Sequence, residues 1–149
     1  QVWQQSYLLL LRLLRQYHTT LPQYLPHFVA GCNALLRALL YAAAKADSTD
    51  HNLLHLWASN LTRLYGYMLP HATSFRKHMV YMLSEFFYKH DALPVDVQGT
   101  LRPGIYALFD ICSKYEKEQL YGTLDGTGKV LLKAIDAHYK ESHQYTGKV

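Results

Sequence analysis

Apolar residues recur at helical spacing along almost the whole chain, and no convincing run of alternating strand residues interrupts them. Leu8, Leu11 and Leu14 mark a first helix, which ends before the turn-forming stretch Thr19, Thr20, Leu21, Pro22. Phe28, Cys32, Leu35, Leu36, Leu39 and Leu40 form one stripe of a second helix, with Pro26 suited to its first turn. A third helix follows the capping-rich cluster Asp47, Ser48, Thr49, Asp50 and carries Leu53, Trp57, Leu61, Leu64 and Met68 on one side. Pro70 closes it. Ser74 is placed to cap a fourth helix with the stripe Phe75, Met79, Met82, Leu83, Phe86, and Pro94 marks the next break. A fifth displays Ile105, Leu108, Phe109 and Cys112, and a short sixth segment runs from about Glu116 to Tyr121. Leu131, Ala134, Ile135 and His138 define the last helix, after which residues from Gln144 onward read as a frayed basic end.

Six or seven helices of about 12 to 20 residues, joined by short links, predict a single all-α domain over residues 1–149. Two architectures fit the pattern. One stacks antiparallel helix pairs, as at the C-terminal end of a HEAT/armadillo-like repeat whose last unit has a more polar outer face. The other is a closed bundle, and no fixed sequence period separates the two.

Composition agrees with a packed chain. A domain of 149 residues buries roughly 70% of the surface its unfolded form exposes, and half of these residues are hydrophobic. The leucine-rich start is broken by Arg12 and Arg15, too soon for the roughly 20 apolar residues a bilayer span requires. No membrane partner is expected. The chain opens on Gln1 within leucine-rich helical sequence, which reads as a piece of a longer protein. Cys32 and Cys112 both fall on apolar stripes, as buried free thiols of a reducing compartment would. Asn60-Leu61-Thr62 fits a glycosylation acceptor but lies in the middle of a helix. A formal charge of +4 is mildly basic, compatible with a nucleic-acid-rich setting.

Candidate chemistry is sparse. The stretch Gly126-Thr127-Gly128-Lys129 resembles part of a phosphate-binding loop, but Thr123 replaces the first glycine, Val130 replaces the metal-binding hydroxyl, and no strand precedes it. Asp125 is better read as the N-cap of the last helix, with Gly126 and Gly128 easing the turn into it. His51 and His55 have the spacing of two zinc ligands on one helix face, yet Asn52 stands where a metalloprotease has glutamate and no third ligand is evident. They are expected to be exposed or capping histidines, with no metal, cofactor, small-molecule substrate or catalytic residue assigned. Lys129, Lys133 and Lys140 share one side of the last helix and, with Arg76 and Lys77, are candidate contacts for a partner or an RNA backbone. Asp136 interrupts that stripe, so i to i+4 pairing on a solvated face is the competing expectation.

Residues 101–148 carry a more specific pattern: Pro103-Gly104, then Tyr106, Leu108 and Asp110, the Leu124-Asp125 turn, Gly128-Lys129, and Tyr139-Lys140. This segment resembles the C-terminal domain of the family of nucleolar pre-ribosomal-associated protein two, also called unhealthy ribosome biogenesis protein two. Residues 1–100 share only its helical, leucine-rich character. The resemblance implies a large helical-repeat protein of the nucleus and nucleolus, acting in early large-subunit (60S) maturation and pre-rRNA processing. It implies other assembly factors as partners, a DEAD-box helicase among them, with weak or indirect pre-rRNA contact and no enzyme motif. The present chain would be that protein's C-terminal cap, a non-catalytic scaffold, and a generic helical adaptor unrelated to ribosomes is the alternative. Pro103-Gly104 is expected at the first turn of the fifth helix or at a kink, with the glycine admitting a neighbouring helix.

Overall fold

A computed structural model describes residues 2–45 and 50–146. The described chain is helical throughout: α1 (Val2–Gln16), α2 (Leu21–Ala44), α3 (His51–Met68), a single turn α4 (Ala72–Phe75), α5 (Met79–Tyr88), α6 (Val95–Ile111), α7 (Lys114–Thr123) and α8 (Gly126–Thr146). One-turn 3-10 helices at His18–Thr20, Leu69–His71, Arg76–His78 and His90–Ala92 bridge them. The all-α class holds, and the seven longer helices are those the sequence pattern outlines.

The register of side-chain contacts gives the direction of each helix. Trp3 stacks on Trp57, Gln4 accepts from Asn60, and Arg15 lies over Tyr67, so α1 and α3 run the same way. His51 and His55 meet Asp96 and Thr100, and Thr62 meets Gly104, which aligns α6 with α3. Tyr106 meets Tyr139 and Asp110 meets His143, which aligns α8 with α6. The return helices oppose them: Leu13 and Leu35 of the first pair meet Tyr24 and Trp3, while Asn33 and Arg37 meet Tyr81 and Glu85, aligning α5 with α2. Lys117 and Tyr121 meet Asp136 and Lys129, so α7 opposes α8. Helices α1, α3, α6 and α8 thus form one layer, and α2, α5 and α7 the other.

A single cluster of buried apolar residues fills the space between them. The stripes read from sequence for α2 and α5 are buried as expected. In α1 the core side is Trp3, Tyr7, Leu10 and Leu14, and Leu8 is exposed. In α3 the buried positions are Leu54, Ala58, Leu61, Leu64, Tyr65 and Met68; Leu53 is exposed and Trp57 only half-buried against Trp3. Tyr139, Leu132 and Ile135 face inward from α8, whereas Ala134 and His138 are exposed. These faces were rotated because leucine occurs on more than one side of each helix, and only packing selects one.

Other local expectations shift in the same way. Pro26 lies inside α2, whose first turn holds Pro22. Ser74 falls inside α4 and caps nothing there, because a 3-10 turn follows before α5 begins. Asp50 is the N-cap of α3, accepting from Asn52 N, while Asp47, Ser48 and Thr49 lie outside the described residues. Helix α8 continues to Thr146, beyond the fraying expected from Gln144, and residues 147–149 lie outside the described chain. Pro94 does precede α6, but Pro103 sits in its interior and not in its first turn.

Helix α2, with its preceding turn, is apolar and long enough to cross a bilayer by length and composition, which the argument from Arg12 and Arg15 did not consider. Its apolar side is instead spent on the core: Phe28, Cys32, Leu36 and Leu39 are inaccessible, and Asn33 among them donates to the Tyr81 carbonyl at 3.4 Å. Asn60, in the glycosylation-like triplet, donates to Gln4 at 3.0 Å within α3. His90 is also buried, with neither ring nitrogen hydrogen-bonded. Burial, then the nearby Arg102, lowers its pKa and holds it neutral.

Candidate interaction surface

The corner between α7 and α8 is set by two caps written in the local sequence. Ser113 accepts from Tyr115 N at 3.2 Å, and Glu116 accepts from Ser113 N at 2.6 Å, the reciprocal pattern of a capping box. Asp125 accepts from Gly128 N at 2.7 Å and starts α8. A Cβ on Gly128 would lie 3.0 Å from Leu124 Cβ, so this glycine lets α8 begin close against the turn. Gly126 has no such neighbour and no positive φ, so the turn does not depend on it. The four residues resembling a phosphate loop are therefore the first turn of a capped helix.

Two antiparallel helices joined this tightly leave an open groove of about 330 Å³ between them. Four lysines line it, Lys114, Lys117, Lys133 and Lys140, against the carboxylates of Glu118 and Asp136, with Tyr121 on its wall. Asp136 is the electrostatic centre. It pairs with Lys117 at 3.1 Å across the helices and with Lys140 at 3.2 Å along α8, the i to i+4 contact expected from sequence. The Lys117 ammonium also sits 4.2 Å from the Tyr139 ring centre, so it acts as much as a rivet as a surface charge. Lys129 and Lys133 lie over the Tyr121 ring at 5.5 and 5.3 Å.

Of the predicted contacts, Lys133 and Lys140 line this groove and Lys129 flanks it. Arg76 does not join them as a surface cation. It is half-buried and donates from Nε to the Ile111 carbonyl at 2.9 Å, which satisfies the end of α6. Lys77 is exposed on the Arg76–His78 turn and does not line the groove. Lys114, Lys117 and Tyr121 were missed by sequence reasoning. Their signal was a spacing of three and then four residues along one helix face, obscured because α7 is short and buries only Leu120.

The residues that carried the family-like pattern gather at the α6–α8 contact. Tyr139 donates to Asp110 at 2.6 Å, stacks edge-on against Tyr106, and His143 Nε2 lies 2.7 Å from the same Asp110 oxygen. Burial first, and then the Asp110 acceptor, push the Tyr139 hydroxyl pKa upward. Leu108 is core. Pro103 is exposed, and Gly104 packs against Thr62 of α3. These are positions of helix packing. Behind them burial pushes the half-buried Cys112 thiol up to about 12, and burial also raises the pKa of Cys32; both are free thiols.

A second cluster forms at the opposite end of α6. His51 and His55, on the first turn of α3, reach Asp96 on the first turn of α6. His51 first, then His55, hold the Asp96 carboxyl well below the ordinary carboxylate range. Sequence spacing supplied the two histidines; the third group comes from a helix 41 residues further on than His55 and could be found only by folding. A family model described as the Urb2/Npa2 family matches residues 1–148. No curated protein and no solved structure matches the chain.

Proposed function

Since the chain belongs to the Urb2/Npa2 family, a family of ribosome biogenesis factors, we propose that it is a non-catalytic docking unit of a nucleolar factor in early large-subunit assembly. The observation that carries this reading is the extent of the family match, residues 1–148, well beyond the last third where the resemblance was legible. In this reading the two helix layers are the C-terminal cap of a longer HEAT/armadillo-like protein. Its last helix supports that place: α8 turns Lys133, His138, Lys140 and Glu141 outward, the polar face a terminal unit requires.

The α7–α8 groove is the contact surface. Lysines alternating with carboxylates and flanked by tyrosine suit the mixed-charge surface of another assembly factor, a DEAD-box helicase among the candidates, better than a uniform phosphate track. Lys129 and Lys133 reach the phosphate backbone of pre-rRNA at the edge of that contact. The full-length parent protein should co-sediment with large-subunit precursors, and its depletion should make unprocessed pre-rRNA accumulate. Sedimentation only with free protein, together with normal processing after depletion, would discard the ribosomal role in favour of a general helical adaptor.

A further inference from the structure

We propose that His51, His55 and Asp96 form a binding site for a divalent transition-metal ion of the zinc class. One donor atom from each lies within 4.8 Å of the other two. The Nε2 atoms of His51 and His55 lie 2.6 and 2.9 Å from the same oxygen, Asp96 Oδ2. Two histidines one turn apart on a helix, completed by a carboxylate from another helix, are a three-ligand zinc set with a fourth position left open.

The hydrogen bonds around His55 favour an ion over a simple salt link. Thr100 Oγ1 donates its proton to the Asp96 carbonyl at 3.2 Å, so toward His55 Nδ1, at 3.0 Å, it is the acceptor. Nδ1 then carries the proton. In neutral imidazole that leaves the Nε2 lone pair facing a carboxylate oxygen, a repulsive contact that a bound cation turns into two favourable ones. Thr100 is therefore a positioning residue that selects the ligating tautomer.

Space and access also fit. Zinc–ligand distances of about 2.1 Å place donors about 3.4 Å apart around the ion, so Asp96 must withdraw by less than an ångström. Its side chain is more than half exposed and free to do so. The open position faces solvent, where water or a ligand from a docked partner completes the shell. Against the ion stand the positive ends of α3 and α6, both of which begin here. The carboxylate offsets them, which makes this an exchangeable site and not a buried structural one.

The test is titration of the chelator-stripped chain with Zn²⁺ alone, followed by calorimetry and by thermal melting. One equivalent should bind and raise the melting temperature. His55→Gln and Asp96→Asn should each abolish both effects, and Thr100→Val should weaken binding by roughly tenfold or more, as loss of an outer-shell partner does. Because these side chains are at least partly exposed, metal-free melting of the variants serves as the check on folding. No stoichiometric uptake by the wild type, or one equivalent still bound by a folded double variant His55→Gln/Asp96→Asn, overturns the assignment.

Discussion

Gly104→Val is expected to lower the melting temperature by roughly 6–12 °C, equivalent to about 3 kcal/mol at 2–4 °C per kcal/mol for a chain of this size. A Cβ at this position would fall 2.8 Å from Thr62 Cα, 3.0 Å from Thr62 Oγ1 and 3.1 Å from the Tyr65 ring. The nearest atom is backbone, so no side-chain rotation relieves the clash, and α3 must separate from α6. That contact is the most extensive between any two helices of the chain. Gly99, five residues earlier in the same helix, meets nothing within 4 Å. Gly99→Ala should therefore stabilise by about 0.5–1 kcal/mol through helix propensity alone. Opposite signs at two glycines of one helix are what thermal melting should return; equal signs would contradict the α3–α6 packing.

Trp3→Ala should cost about 3–5 kcal/mol, the usual range for deleting a buried large aromatic. Trp3 lies near the chain start, yet it is 6% exposed, donates to the Leu35 carbonyl at 2.9 Å and stacks on Trp57 at 4.8 Å. It therefore fastens α1 to α2 and α3 at once. Trp3→Phe keeps a ring against Trp57 but loses the donor, and should cost about 1–2 kcal/mol, reflecting the lost hydrogen bond and some packing. Urea unfolding followed by Trp57 fluorescence measures both. A midpoint unchanged by Trp3→Ala would mean that α1 is not part of the cooperative unit.

How much of this was legible in the sequence depends on how many faces of each helix are apolar. Helix α2 reads correctly because its leucines recur on a single broad stripe around Cys32. In α3 the run Leu53-Leu54-His55-Leu56-Trp57 supports two stripes, and the choice of Leu54 over Leu53 is made by the neighbouring helices. The α8 cap was readable because Asp125 and Gly128 are local to one another. The pairing of Lys117 with Asp136, and of two histidines with Asp96, was not, since each joins helices whose proximity only the packed layers create. Gly104 lies between these cases: the glycine suggested a close neighbour, and the fold supplied Thr62.

The most direct test of the docking reading is affinity capture of the full-length parent protein carrying Lys114→Glu, Lys129→Glu and Lys133→Glu together. None of these ammonium groups holds the fold, since Asp136 is paired by Lys117 and Lys140 instead. Reversing them should leave the melting temperature of this unit within a degree or two while reducing recovery of large-subunit precursors about tenfold, a loss of roughly 1.4 kcal/mol in binding. Undiminished recovery from the folded variant would contradict the assignment of the α7–α8 groove as the contact surface.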